Sequence, residues 1–172
     1  MPKLIKLEAD GFIEVDDPFT PVADDEALPD GDVILSLTRF RAEGEGLLGQ
    51  GRRMGVRIEP SEEVEALTRD LPRLALVALS FPKFRDGRAF TSARVLSQRL
   101  AFSGEIRAVG EVLRDLAGFM VRCGFNAFEP ADGATLDQWA RSVHSHRHVY
   151  QRAADARIPA FLERERVYRH GL

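Results

Sequence analysis

The residues best equipped for chemistry crowd into one short stretch, Pro82-Lys83-Phe84-Arg85-Asp86-Gly87-Arg88, followed directly by Ala89-Phe90-Thr91-Ser92. It leaves an apolar run, Leu74–Phe81, and enters a segment of helical periodicity, so it reads as the loop between the carboxyl end of a strand and the start of a helix. Exposed amides and the positive end of a helix favour an anion at such a place. Arg85 and Arg88 are suited to grip a planar or tetrahedral oxyanion through two hydrogen bonds each, with Lys83 as a point charge. Gly87 lets the backbone approach closely, and Thr91 and Ser92 add hydroxyl donors. Were the site catalytic, Lys83 and Asp86 are the candidates to exchange protons. The next unit repeats the theme: the strand Glu105–Val109 carries Arg107 and ends in Gly110-Glu111, with Arg114 and Asp115 in the first turn of the helix that follows. Arg107 and Arg114 are expected to join the same anion site, with Glu111 and Asp115 supporting them. A competing reading pairs these charges with one another, as bridges that lock adjacent loops.

Other motifs carry less. Gly49-Gln50-Gly51-Arg52-Arg53-Met54-Gly55 resembles a glycine fingerprint but precedes a strand, whereas dinucleotide binding needs the glycines between a strand and the helix after it. His144, His146 and His148 alternate, and His144 with His148 would share a helix face. No carboxylate or further histidine completes a ligand set, so an exposed helix surface is expected and no metal. Cys123 reads as a packed small hydrophobe, and Trp139 and Tyr150 as core or rim packing. Neither a nucleophile elbow nor a Walker loop is present, so no recognisable motif encodes a cofactor, whose identity is left unknown.

The elements that must position the basic loop follow from periodicity. Leu4–Lys6 and Gly11–Asp16 alternate around Asp10-Gly11, the signal for a β-hairpin. Residues 18–32, rich in Pro, Asp and Gly, read as a loop. Buried strands are expected at Val33–Leu37, Gly55–Ile58, Leu74–Phe81, Ile106–Val109 and Phe125–Phe128. Between them lie helical segments: Arg39–Gln50, weakened by three glycines; Ser61 to Asp70, with Ser61 as N-cap and Pro72 beyond its end; Arg88–Ala101; Glu111–Cys123, aligning Val112, Leu116, Phe119 and Cys123 before Gly124; and Thr135–Ala154, followed by a shorter helical tail after Pro159. Strands apolar on both faces that alternate with helices indicate an α/β fold with a helix-covered parallel sheet. The expected architecture is a partial, half β/α-barrel-like arc or a small open doubly wound sheet, preceded by the hairpin. The corresponding divisions are 1–32 (hairpin and acidic arm), 33–154 (βα repeats) and 155–172 (helical tail).

Composition bounds the function classes. The chain has 172 residues, 44% hydrophobic and 30% charged, which suits one globular domain with a sizeable core. Net charge is −3, but residues 1–32 hold ten carboxylates against two lysines. The remainder is therefore mildly basic, too weakly to suggest nucleic acid. The acidic arm reads as a solvated linker. No apolar run is long enough for a membrane span, no signal peptide opens the sequence, and a single cysteine suits a reducing cytoplasm.

Three stretches in order, Ala78–Arg94, Gly104–Asp115 and Arg122–Glu129, resemble the signature of a bacterial family of unknown function, number 934 in its series. The resemblance spans about residues 28–152. It points to Phe81, Pro82, Phe84, Asp86, Gly87, Arg88, Arg94, Arg107, Gly110, Arg114 and Asp115; the chain departs from the pattern at Glu111 and at Leu116-Ala117-Gly118. Members are typically encoded beside assimilatory sulfite reductase and sulfonucleotide reductase genes and are often labelled probable oxidoreductases of sulfite reduction. The resemblance thus implies an accessory role in sulfur assimilation, with a small anion, sulfite reductase or another enzyme of that process as partner. Two alternatives stand beside it: a small β/α enzyme of lyase, isomerase or oxidoreductase type acting on an oxyanion, and a structural scaffold.

Overall fold

The computed structural model describes residues 4–170, and of residues 166–170 the backbone only. Residues 1–3, which open the expected hairpin division, and the last two of the expected tail lie outside the described residues. Eight strands form one sheet: β1 (Leu4–Glu8), β2 (Gly11–Val15), β3 (Phe19–Pro21), β4 (Asp32–Ser36), β5 (Met54–Ile58), β6 (Leu76–Phe81), β7 (Glu105–Gly110) and β8 (Ala127–Phe128). Their order is β2-β1-β8-β7-β6-β5-β4-β3. The hairpin β1–β2 forms as expected, and β1 adds antiparallel to β8, whereas β3 to β8 are parallel.

The parallel strands follow one another without any reversal of order. A doubly wound sheet needs such a reversal to send helices to both faces, so right-handed crossovers here lay the helices on one face and curl the sheet into a half-barrel. That face buries Leu35, Val56, Val77, Leu79, Phe81, Ile106, Ala108 and Phe128 in the main core. The opposite, concave face is smaller and mixed: Phe19, Ile34, Leu76 and Ala78 form a separate apolar cluster beside Arg107.

The helices are shorter than periodicity suggests. α1 (Leu37–Leu48) forms despite its glycines because the Ser36 hydroxyl caps it by accepting the Arg39 N–H. Gly44 has a packing role there, since a Cβ would lie 2.4 Å from the Phe40 ring. The expected helix Ser61–Asp70 is replaced by two 3-10 turns, Val64–Leu67 and Leu71–Arg73, which bury Val64, Leu67 and Leu71. α2 (Arg88–Arg94) passes into a π turn, Val95–Arg99. α3 (Ala117–Cys123) begins only after a 3-10 turn at Arg114–Leu116, and Gly124, with φ +108°, ends it. α4 (Leu136–Val143) starts in a capping box between Thr135 and Gln138 but stops eleven residues before Ala154. His144 and His148 therefore do not share a helix face. The tail helix α5 (Ala160–His170) follows Pro159.

Residues 18–32 are not all loop. Phe19–Pro21 pairs with β4 as the far edge strand, although β2 lies at the other edge. In a flat sheet, seven strand spacings would separate those edges by ~34 Å. The four residue steps from Val15 to Phe19 reach at most ~14 Å. The chain makes this connection only because the sheet is curled, and residues 16–18 form a strap across the concave face.

Candidate functional site

The strap meets a row of inward-facing residues in register across six strands: Ser36, Arg57, Ala78, Arg107, Ala127 and Lys6. Arg107, at 0% exposure, is the one cation among the fully buried side chains of the described residues. The Asp17 carboxylate on the strap accepts from both Nη1 and Nη2, Glu105 accepts from Nε at 2.6 Å, and Glu129 from Nη1 at 3.1 Å. Lys6 joins through Glu105 at 2.7 Å, and the Phe19 ring centroid lies 5.9 Å from the guanidinium carbon. Burial opposes the Arg107 charge, but the Asp17 hydrogen bonds and the Glu105 charge outweigh it, so its pKa lies above the usual arginine value. Burial also pushes Glu129 up, more than Arg107 draws it down.

Arg107 thus sits in mid-strand, not on a loop rim, and its donors are taken by acids of its own chain. Arg88 is likewise engaged, with a different acid: Asp86 accepts from its Nε at 2.9 Å, from Nη2 at 2.6 Å and from its backbone N–H at 3.2 Å. The anion at the start of α2 is therefore the Asp86 carboxylate, and the Arg88 hydrogen bond holds that carboxylate at about 2. A group so acidic stays ionised near neutrality, far from the near-neutral value that suits a proton-exchanging acid–base catalyst.

The two βα loops do meet, but through other atoms. The Glu111 carboxylate accepts the Phe84 N–H at 2.9 Å, and the Glu111 N–H donates to the Phe81 carbonyl at 2.7 Å. Gly110 makes this approach possible: its φ is +94°, and a Cβ would lie 2.5 Å from the Phe81 oxygen. Arg114 stands apart, 3.9 Å from both Asp115 and Asp132. Gly87 is the N-cap residue of α2 and makes no side-chain cap, and Thr91 and Ser92 follow within the helix.

What remains outward is a basic and aromatic display. Lys83, Phe84, Arg85 and Arg88 are all exposed, and Phe84 carries the Arg85 guanidinium 5.5 Å above its ring. Neither Lys83 nor Arg85 has a carboxylate partner among the described residues, whereas Arg88 does. Behind the loop, Phe90 packs edge-on against Phe81 and at 4.7 Å against Phe119, whose ring is 55% exposed.

A family model described as bacterial protein of unknown function (DUF934) matches residues 55–161. The chain belongs to this family. No curated protein matches it. The matched span of the DUF934 chain includes Arg107, Glu105, Glu129 and the whole 82–92 loop, whereas Asp17 lies upstream of it.

Sequence reasoning missed the concave cluster. Its only local signal was Glu105-Ile106-Arg107, where two charges fall on the same face of a strand otherwise built for burial. Asp17, 90 residues from Arg107, left no such signal. The reading of the acidic arm as a solvated linker is corrected as well. Asp24 accepts from Ser36, Asp32 from Arg53, and the carbonyls of Ala23 and Pro29 from Arg39 and Arg52, so the arm is tied along the sheet edge. Cys123 is buried, and its thiol is pushed up by burial. Trp139 is core, packed on Phe128 at 5.0 Å, but Tyr150 projects into solvent at 84% exposure. No helix among the described residues is long and apolar enough to cross a membrane.

Proposed function

We propose that this protein is an accessory factor of assimilatory sulfite reduction, presenting the loop of residues 82–92 to an anionic group or to a partner reductase. The observation that carries the docking part is the form of the loop. Lys83, Phe84 and Arg85 point outward on a turn held from behind by the Glu111 carboxylate and the Asp86–Arg88 pair. Arginine and aromatic side chains are enriched at the centres of protein interfaces, and a pre-ordered turn loses little entropy on binding. The sulfur context comes from the family resemblance, whose members are typically encoded beside sulfite reductase genes.

The test is a pull-down with the sulfite reductase of the same genome, run beside a deletion strain grown on sulfate or on cysteine. Capture that the double variant Lys83→Glu/Arg85→Glu abolishes, together with slow growth on sulfate alone, supports the reading. Absence of both a complex and a growth defect rejects it.

A further inference from the structure

The basic loop contains a tight turn. The Asp86 N–H donates to the Lys83 carbonyl at 2.9 Å, which places Phe84 and Arg85 at the two corners of a β-turn. Both corner side chains are exposed, Phe84 by 45%. The main chain around them is tied down. The Glu111 carboxylate accepts the Phe84 N–H at 2.9 Å, the Asp86 carboxylate accepts the Arg88 N–H at 3.2 Å, and the Gly87 carbonyl accepts the Phe90 N–H at 3.2 Å. None of these bonds uses the Phe84 ring, so the turn does not depend on it.

The amides of Phe84, Asp86, Arg88 and Phe90 are thus spent inside the chain. A free inorganic anion would meet side-chain cations here without the cradle of backbone donors that holds such ions in a nest, and it would leave the Phe84 ring in water. The charge at the turn is nonetheless positive. Lys83, Arg85 and Arg88 stand against Asp86 and Glu111, and Asp86 pairs with Arg88 at 2.6 Å. The excess therefore falls on Lys83 and Arg85, which flank Phe84 in the sequence. The Arg85 guanidinium carbon lies 5.5 Å from the Phe84 ring centroid, within the range in which a cation and an aromatic face attract. The apolar and the cationic parts of the turn are presented as one unit.

We infer that this turn is a plug: Phe84 inserts into an apolar socket on a partner protein, and acidic side chains on the rim of that socket receive Lys83 and Arg85. The inference rests on the docking reading above and adds the anchoring side chain and the chemistry of the surface that accepts it. The ring selects a desolvated pocket and the two unpaired cations select an acidic rim, the arrangement of apolar centre and polar border found at protein interfaces. Because the turn is closed beforehand, little ordering entropy is lost on insertion. Two cations neutralise too few phosphates for a firm hold on nucleic acid. One ring with two cations is likewise too little for a stable lipid anchor.

The experiment measures binding of the full-length chain to the sulfite reductase of the same genome by interferometry, with sodium sulfite and phosphatidylserine vesicles as separate probes. Phe84→Ala should weaken the reductase complex about thirtyfold, and Phe84→Leu by much less. Lys83→Gln/Arg85→Gln should slow association and remove most of its salt dependence. Circular dichroism should show the fold intact in each variant, since all three side chains are exposed. With benzoylphenylalanine placed at position 84, photocrosslinking should mark apolar reductase residues flanked by Asp or Glu. A complex that needs Lys83 and Arg85 but tolerates Phe84→Ala, or crosslinks to a basic or wholly polar surface, overturns the plug and leaves the docking reading standing. Sulfite or vesicle binding that depends on Arg85, with no reductase complex, overturns the plug and leaves only the anionic part of that reading. No binding to any probe overturns both.

Discussion

Two arginines in neighbouring βα units show how one residue type serves opposite ends. Arg107 lies beneath the strap at 0% exposure with three carboxylates around it, and Arg88 lies at the open end of the sheet, its side chain 62% exposed, with one. A buried guanidinium is tolerated only when every donor finds a partner, and removing one member of such a cluster strands the others. An exposed pair is screened by water and holds little beyond local geometry. The interior arginine therefore belongs to the architecture, whereas the loop around the outer one is free to serve recognition.

The largest expected effect comes from Arg107→Ala, which leaves Asp17, Glu105 and Glu129 facing one another without their cation. Urea unfolding should show a loss of about 3–5 kcal/mol, and a variant as stable as the parent would erase the contrast between the two arginines. Gly110→Ala comes next. The left-handed backbone and the contact with the Phe81 carbonyl should together lower stability by roughly 1–3 kcal/mol, and the Phe84 amide signal should shift as its bond to Glu111 is disturbed.

A smaller effect is readable as a pH dependence. The folded-state pKa of Glu129 lies above the usual glutamate value because burial disfavours its charge, so the folded chain holds the extra proton more tightly than the unfolded one. The resulting stabilisation is complete below the unfolded pKa and is lost as pH rises through the folded one. Urea midpoints of the parent should fall over that window, and those of Glu129→Gln should lack that component. The smallest effect belongs to Arg88→Ala, which should lower the urea midpoint only slightly, because the pair is exposed and screened by water. Asp86 has the opposite sign to Glu129: its pairing is present above its unfolded pKa and is lost as pH falls towards about 2. An NMR titration should find the Asp86 carboxyl rising from about 2 towards ~3.9 once Arg88 is gone.

The strands were legible where both faces are apolar, as in Leu76–Phe81, because burial writes the same composition at each position. Helix ends were less so. Thr135 announced the start of α4 through its capping box, but nothing in the pattern from Trp139 onward marks the stop at Val143, after which Arg122 and Arg157 fix the chain by tertiary bonds. Phe119 matched the spacing of an apolar face and yet is 55% exposed, because the buried face of α3 is formed by Ala117, Met120 and Cys123. The basic loop was found from residue types alone, but its internal pairing was not: Asp86 and Arg88, two residues apart, satisfy each other before any external anion can. The hub at Arg107 depended on a partner from the distant strap, and such contacts leave no periodic trace.

The strap also closes a long loop. Its contact with Arg107 joins positions 90 residues apart, and the entropy of closing that loop is offset by the sheet that lies between them. The crossing joins the two rims of the curled sheet as a bowstring joins the ends of a bow. Nicking the backbone between Val15 and Phe19 would leave each paired strand in place while releasing the tie between the two rims.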